Sequence, residues 1–181
     1  MTRPWTGGEL ADAVRAFAPE AVVSHNETAV WVRPSSLLRV SAALRERAEF
    51  TFDLLNSISA VDYIGYYEVV YHLTSLRQNR SAVIKVKCGE GRTDPAVPSV
   101  YHIWRGADYQ EREAYDLMGI RFEGHPNHKR IMLWDGFPGH PLRKDFVTYD
   151  QSVVPPEARE AMAARQSQDG QARGGAGQSG R

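Results

Sequence analysis

Glu111, Arg112, Glu113 and Asp116 cluster four charges within six residues, inside the stretch ADYQEREAYDLMG. On a helix Arg112 and Asp116 are four residues apart, so they share a face and can pair; Glu111 then lies with Tyr115, and Glu113 with Leu117. Charges that point several ways around one helix have two readings. A helix on the surface of a lone domain simply solvates them. A helix lodged between two bodies uses them as paired, hydrogen-bonded anchors, at a risk of roughly 3–5 kcal/mol should a buried charge lose its partner. Arg143, Lys144 and Asp145 form a second concentration, framed by Pro141 and Phe146. Two cations beside a carboxylate suit an acidic patch on a partner, with arginine pairing bidentately. As an exposed cluster the same triplet is worth at most about 1 kcal/mol.

Other residues offer chemistry at first sight and little on inspection. His125 and His128, in HPNH, could be metal ligands, with Asp135 or His140 completing a site for zinc or iron. Their spacing falls on a proline-interrupted loop, where nothing fixes the geometry as a helical H-E-x-x-H does, so the expectation is no metal site. Gly89-x-Gly91 follows a strand pattern, but a dinucleotide fingerprint needs a third glycine opening a helix, and Arg92, Thr93, Asp94 and Pro95 do not supply it. No G-x-S-x-G is present, and no Ser–His–Asp or Cys–His pairing can be argued. His25, His72 and His102 stand alone on strand or helix patterns and read as structural. Cys88 is the single cysteine. One thiolate cannot hold a conventional iron–sulfur cluster, and the residue reads as a small buried hydrophobe ending a strand. No catalytic residue is expected in this chain.

The elements that must position these residues point to an α+β fold. Thr6 and Glu9 have capping-box spacing ahead of Leu10, Val14 and Phe17, which predicts a first helix. AVVSH and TAVWV predict a short hairpin. Pro34 and two serines open a second helix carrying Leu37, Leu38 and Leu44. EFTFDLLNSISAVDY starts with alternating Phe50, Phe52 and Leu54, and YYEVVYHLTSL and SAVIKVKC follow across turns. Neighbouring strands of this kind predict a mixed or antiparallel sheet covered by helices. Helical character returns in PSVYHIW and ADYQEREAYDLMG, with Gly119 placed as a C-terminal cap.

After Phe122 the periodicity ends. Residues 123–156 are rich in proline and glycine yet keep Ile131, Met132, Leu133, Trp134, Phe137, Leu142 and Phe146. Such a segment is too apolar for disorder and too long for an ordinary loop. It reads as an extended arm burying its side chains on another protein, beyond a core domain of residues 1–122; the other reading packs it over its own sheet. Residues 157–181, rich in Gly, Ser and Gln, read as a flexible tail. Lys plus Arg number 22 and Asp plus Glu 22. That balance disfavours a nucleic-acid binder. No apolar run approaches the roughly 20 residues of a membrane span, and MTRPWTGGEL has no signal core.

One further signal is specific. EREAYDLMGIRFEGHPNHKRIM resembles the signature of the thirty-kilodalton subunit family, the C subunits of NADH–quinone oxidoreductase, respiratory complex I. The match runs through Glu111, Arg112, Glu113, Asp116, Leu117, Met118, His125, Lys129, Ile131 and Met132. AVDY, VVYHLTSL, VPSVYHIWRGADY and GHPLRKDF look like the family's flanking landmarks. Asn127–His128 stand where the family more often has Asp–Leu. The resemblance implies a cofactor-free subunit in the peripheral arm of a proton-translocating complex, on the cytoplasmic face of the cell membrane. It would pack against the quinone-site D subunit, with membrane contact only through the complex. FMN, iron–sulfur clusters and quinone would belong to partner subunits. Glu111, Arg112, Glu113, Asp116, His125, Lys129, Arg130, Arg143, Lys144 and Asp145 would be the signature and interface set. The same role in a membrane-bound hydrogenase or a photosynthetic complex, or an independent metal enzyme using His125, His128 and Asp135, are the alternatives.

Overall fold

The structure, a computed structural model, describes residues 2–147. The expected tail at 157–181 and the end of the expected arm, 148–156, lie outside the described residues.

Helix α1 spans Gly7–Arg15 because Thr6 caps it: the Thr6 hydroxyl accepts the Glu9 N–H at 3.1 Å, and the Glu9 carboxylate accepts the Thr6 N–H at 2.9 Å. Strand β1 (Arg3–Pro4) precedes it, and β2 (Val22–His25) and β3 (Val30–Val32) follow as an antiparallel pair. A single 3₁₀ turn over Pro34–Ser36 leads into α2, Leu37–Glu46. Then come three long strands, β4 (Leu54–Tyr63), β5 (Tyr66–Ser75) and β6 (Arg80–Cys88), each antiparallel to the next. Among the described residues the sheet runs β2-β3-β6-β5-β4, with β1 also paired to β6. Both β1 and β3 run parallel to β6, so the sheet is mixed but mainly antiparallel. After it, β7 (Ala96–Pro98), α3 (Ala107–Met118) and β8 (Arg121–Glu123) form a unit in which β7 and β8 pair parallel.

One apolar cluster joins Leu10 and Val14 of α1, Leu37, Val40 and Leu44 of α2, and Ala107 and Ala114 of α3 to alternate strand residues such as Val30, Tyr67, Val69, Tyr71, Ile84 and Val86. Strand side chains alternate between faces, so α1, α2 and α3 lie on the same face and the described residues form two layers. The opposite face carries Trp31, Glu68, Val70, His72, Val83 and Lys85. There Glu68 is 2% exposed, accepting the Trp31 indole N–H at 2.6 Å beside the Lys85 ammonium at 2.9 Å.

Two sequence expectations need adjustment. Phe50 and Phe52 are buried but precede β4, and Leu54 is exposed. The alternation is reset inside the strand: a bulge between Leu55 and Ser57 lets both Leu55, opposite Leu73, and Ile58, opposite Tyr71, face the helices. PSVYHIW is not helical; Tyr101–Ile103 form a turn ahead of α3, with Trp104 donating its indole N–H to the Phe52 carbonyl at 3.0 Å. Cys88 is buried at the end of β6, and burial pushes its thiol up to about 12.

Candidate functional site

Helix α3 departs from the usual pattern, because its buried face is charged. Glu111 and Asp116 are fully buried and Arg112 is 8% exposed. Charges so placed cost roughly 3–5 kcal/mol each when they lose their partners. Their partners come from the chain on either side of the helix.

Glu111 faces backward. Its carboxylate accepts the Val100 N–H at 2.8 Å and the Ser99 hydroxyl. Burial is the main influence on it and, aided by Asp108, outweighs these two bonds, raising the carboxyl to about 7. Arg112 and Asp116 face forward, onto the segment after β8. They do not pair with each other as their spacing suggested. Arg112 donates to the Lys129 and Arg130 carbonyls, both at 3.1 Å. Asp116 accepts three consecutive backbone N–H groups, Ile131, Met132 and Leu133, at 2.8–3.0 Å, and the Arg130 guanidinium at 2.7 Å. Burial pushes the Asp116 carboxyl up, but those donors together overcome it and hold the group below the usual carboxylate range. Arg130 reaches on to the Phe137 and Gly139 carbonyls, closing the segment into a loop around its own side chain.

The C-terminal end of α3 is closed by the same segment. The last four carbonyls of a helix lack partners within it. Here the Tyr115 carbonyl accepts from Gly119 N, Asp116 from the His140 ring, Leu117 from Leu142 N, and Met118 from Arg143 Nε at 2.7 Å. Arg143 is thus a cation at the negative end of the helix dipole, stacked over the Tyr67 ring at 5.3 Å. Gly119 has φ 72°, and a Cβ there would strike Arg143 and His140.

A second clamp holds the segment's far end. Asp62, at the end of β4, accepts Arg92 twice, at 2.6 and 2.8 Å, and the Lys144 N–H at 2.8 Å. Arg92 also binds Asp145 at 2.7 Å. Burial works to raise the Asp62 carboxyl, but the Arg92 and Lys144 donors prevail and lower it.

Of the ten residues singled out, then, Glu111, Arg112, Asp116, His125, Arg130, Arg143 and Asp145 use their side chains within the chain. Lys144 uses its N–H and Lys129 its carbonyl, while both side chains are exposed. Glu113 is exposed beside a shallow cleft of about 200 Å³ between α3 and β4. Sequence reasoning passed over Arg92, Ser99 and Asp108. None of the three carried a sequence signal; the structure shows Arg92, just after the Gly89–Gly91 turn, as a non-glycine residue at φ 68°, a strained backbone held by its two carboxylate partners.

The histidines are taken up by backbone groups. His125 Nδ1 accepts the Asn127 N–H at 3.0 Å, so its proton sits on Nε2, facing the Asp108 carbonyl at 3.2 Å. His128 Nε2 accepts the Phe122 N–H, and His140 Nδ1 donates to the Asp116 carbonyl. Among the described residues no group of three or more His, Cys, Asp or Glu side chains is placed to hold a metal ion.

The segment 124–146 is therefore without regular structure but not detached from the core. Residues up to Phe146 form one compact unit. Its backbone is captured by α3, while Ile131, Met132 and Leu142 remain 38%, 63% and 54% exposed.

Comparison with known proteins gives a consistent result. Residues 30–152 match the family described as Respiratory-chain NADH dehydrogenase, 30 Kd subunit. The C subunit of the NADH-quinone oxidoreductase of Roseiflexus sp. (strain RS-1) is 41% identical over 143 residues, covering 75% of this chain and 81% of that protein. Its counterpart in Azorhizobium caulinodans is 42% identical over 159 residues, covering 80% and 74%. Among solved structures, a chain of the membrane-bound sulfane sulfur reductase, an archaeal respiratory membrane complex, superposes with TM-score 0.62 at 26% identity, covering 78% of this chain and 86% of that one. A trypsin-resistant fragment of Nqo5 superposes with TM-score 0.51 at 28% identity, covering 66% and 97%.

Proposed function

The chain belongs to the 30 kDa subunit family of respiratory-chain NADH dehydrogenase, and from this premise we propose that it is a cofactor-free scaffold subunit in the peripheral arm of a proton-translocating NADH–quinone oxidoreductase. It sits on the cytoplasmic side of the membrane, in a hetero-oligomer, against the quinone-site D subunit. FMN, iron–sulfur clusters and quinone are held by its neighbours, and its own residues fix their spacing.

The carrying observation is how the 124–146 segment is built. Arg112, Asp116 and Arg130 direct their charge to its backbone, and Arg143 reaches from it to the Met118 carbonyl of α3; together they fix its shape, and Met132 and Leu142 are left facing outward. Large apolar side chains exposed on a rigid loop, held by buried charges, are what a docking surface requires. A single buried cysteine offers no set of thiolate ligands for a cluster. No helix among the described residues is long and apolar enough to cross a membrane, which suits attachment through partners.

Met132→Asp and Leu142→Asp test this. Both side chains are exposed, so the isolated chain keeps its stability to within about 0.5 kcal/mol. Solubilised membranes run on a native gel should nevertheless lose the chain from the high-mass complex. Retention of both variants in a full complex overturns the reading. Arg112→Ala should also reduce assembly, but through loss of the loop, and so with reduced stability.

The likeness to a chain of the sulfane sulfur reductase complex supports a second reading, the same scaffold in a related complex fed by another electron donor. NADH oxidation by the complex that co-purifies with this chain separates the two.

A further inference from the structure

We propose that Asp108, Glu111 and His125 form a proton-operated latch that fastens the start of the 124–146 segment to α3 while Glu111 carries a proton, and loosens it when that proton leaves. The proposal concerns the chain itself and stands apart from any partner.

Three titratable groups meet around one ring nitrogen. His125 Nε2 lies 3.5 Å from Asp108 Oδ1 and 3.9 Å from Glu111 Oε2. The His125 and Glu111 side chains are both fully buried. Two carboxylates thus flank one imidazole, and the cluster joins two elements: Asp108 and Glu111 belong to α3, and His125 opens the loop. Asp108 Oδ1 is buried and receives no hydrogen bond. The Tyr71 hydroxyl of β5, which feels the Glu111 charge, is likewise buried without a partner.

The groups facing Glu111 from each packed element are Ser99 and Val100 from the turn after β7, Asp108 on its own helix, Tyr71 from β5 and His125 from the loop. None of them is a permanent cation. Arg112 is committed to the Lys129 and Arg130 carbonyls, Arg130 to Asp116, and Arg105 to the Tyr101 ring. A negative charge on Glu111 therefore stands beside Asp108 with only His125 placed to balance it.

His125 balances it only by disturbing the loop. Its Nδ1 accepts the Asn127 N–H, so a second proton on the ring would set two donors against each other and open the turn that Asn127 closes. Protonated Glu111 avoids the conflict: its O–H takes over the contact that Ser99 donates to the carboxylate, now with the Ser99 oxygen as acceptor, the Val100 N–H stays on the other carboxyl oxygen, and His125 keeps both of its bonds. Loss of the proton leaves either a buried Glu111 anion beside the partly exposed Asp108 carboxylate or a charged His125 with a broken turn. Both weaken the attachment of residues 124–128.

The sign follows from the raised carboxyl. Between about 4.5 and about 7 the folded chain holds a proton that the unfolded chain has lost, so Glu111 makes stability fall as pH rises through that window. His128 and His140 act the opposite way, since burial holds both below 6.5. Only a comparison with a variant isolates Glu111.

The test is urea unfolding of the full chain from pH 5 to pH 7, wild type against Glu111→Gln, which keeps the shape and an acceptor for Val100. The ratio of the two unfolding constants should rise with pH by several-fold to about tenfold per unit. Carboxyl-labelled glutamate NMR on the wild-type chain is the second arm and needs no variant. One glutamate should titrate near neutrality, with the His125 and Asn127 amide signals moving in step, and Asp108→Asn should lower that midpoint. A constant ratio of unfolding constants, a full set of glutamates titrating in the ordinary carboxylate range, or a Glu111 titration that leaves the Asn127 amide still, overturns the latch.

Discussion

Asp116 gathers more of the loop than any other side chain. One carboxylate oxygen takes three successive N–H groups, an arrangement otherwise supplied by the start of a helix, and the other takes Arg130. The spacing of Arg112 and Asp116 on α3 suggested that they answer each other; instead each answers backbone that arrives later in the chain. Helical spacing reports neighbours on one helix and is silent about a segment that folds over it, so the burial of these charges could not be read from the pattern. Asp116→Asn should bring this out. An amide cannot present oxygen to three N–H groups and also to a guanidinium, so it turns a donor toward a donor and leaves Arg130 without its counter-charge. The expected loss is on the order of 3 kcal/mol, read as a lower urea midpoint with an unchanged slope. A loss within about 0.5 kcal/mol would mean that the loop is held elsewhere.

At the scale of elements, α3 and the segment after β8 are halves of one structure. The helix ends in four carbonyls that need donors, and the segment has donors in Leu142, His140 and Arg143 placed to meet three of them. Gly119 makes the meeting possible, because the backbone turns left-handed there and the missing side chain leaves space for Arg143 and His140. Gly119→Ala should therefore cost more than the roughly 1 kcal/mol of backbone strain alone, about 2–3 kcal/mol in all, because the cap must also move. Trypsin offers an independent readout: cleavage after Lys129, Arg130, Arg143 and Lys144 should accelerate in that variant while cleavage within β6, after Lys85 or Lys87, does not. The glycine itself was legible as a cap, since glycine just past a helical run signals one. The β4 bulge was not legible. Phe50, Phe52 and Leu54 advertise a simple alternation, and nothing in Leu55-Asn56-Ser57 announces the extra residue that turns Leu55 and Ile58 to the same side.

For the whole molecule, the two-layer α+β plan was readable because it rests on local signals: a capping box, β-branched runs and short turns. The path of the 124–146 segment was not, because it is set by carboxylates that lie 14 to 82 residues away from the groups they bind. That construction gives the fold a particular weakness in acid. Asp116 holds the segment near its start, and Asp62, with Arg92, holds it near Lys144 and Asp145; both carboxyls are lowered in the folded chain. A lowered carboxyl contributes stability that is fully present above the ordinary aspartate value, 3.8, and is lost as pH falls through the lower folded value. Both tethers thus fail in the same acid range, whereas the apolar layer between sheet and helices has no such dependence. Below pH 3.8 the segment should come away before the sheet does. Pepsin, active at these pH values, should then cut at Leu133, Trp134 or Phe137 while β5 and β6 remain intact, and Asp62→Asn should shift the onset of that cleavage to higher pH. Simultaneous digestion of the segment and the strands at every pH would show instead that loop and core are one cooperative unit, with these carboxylates bearing on its overall stability alone.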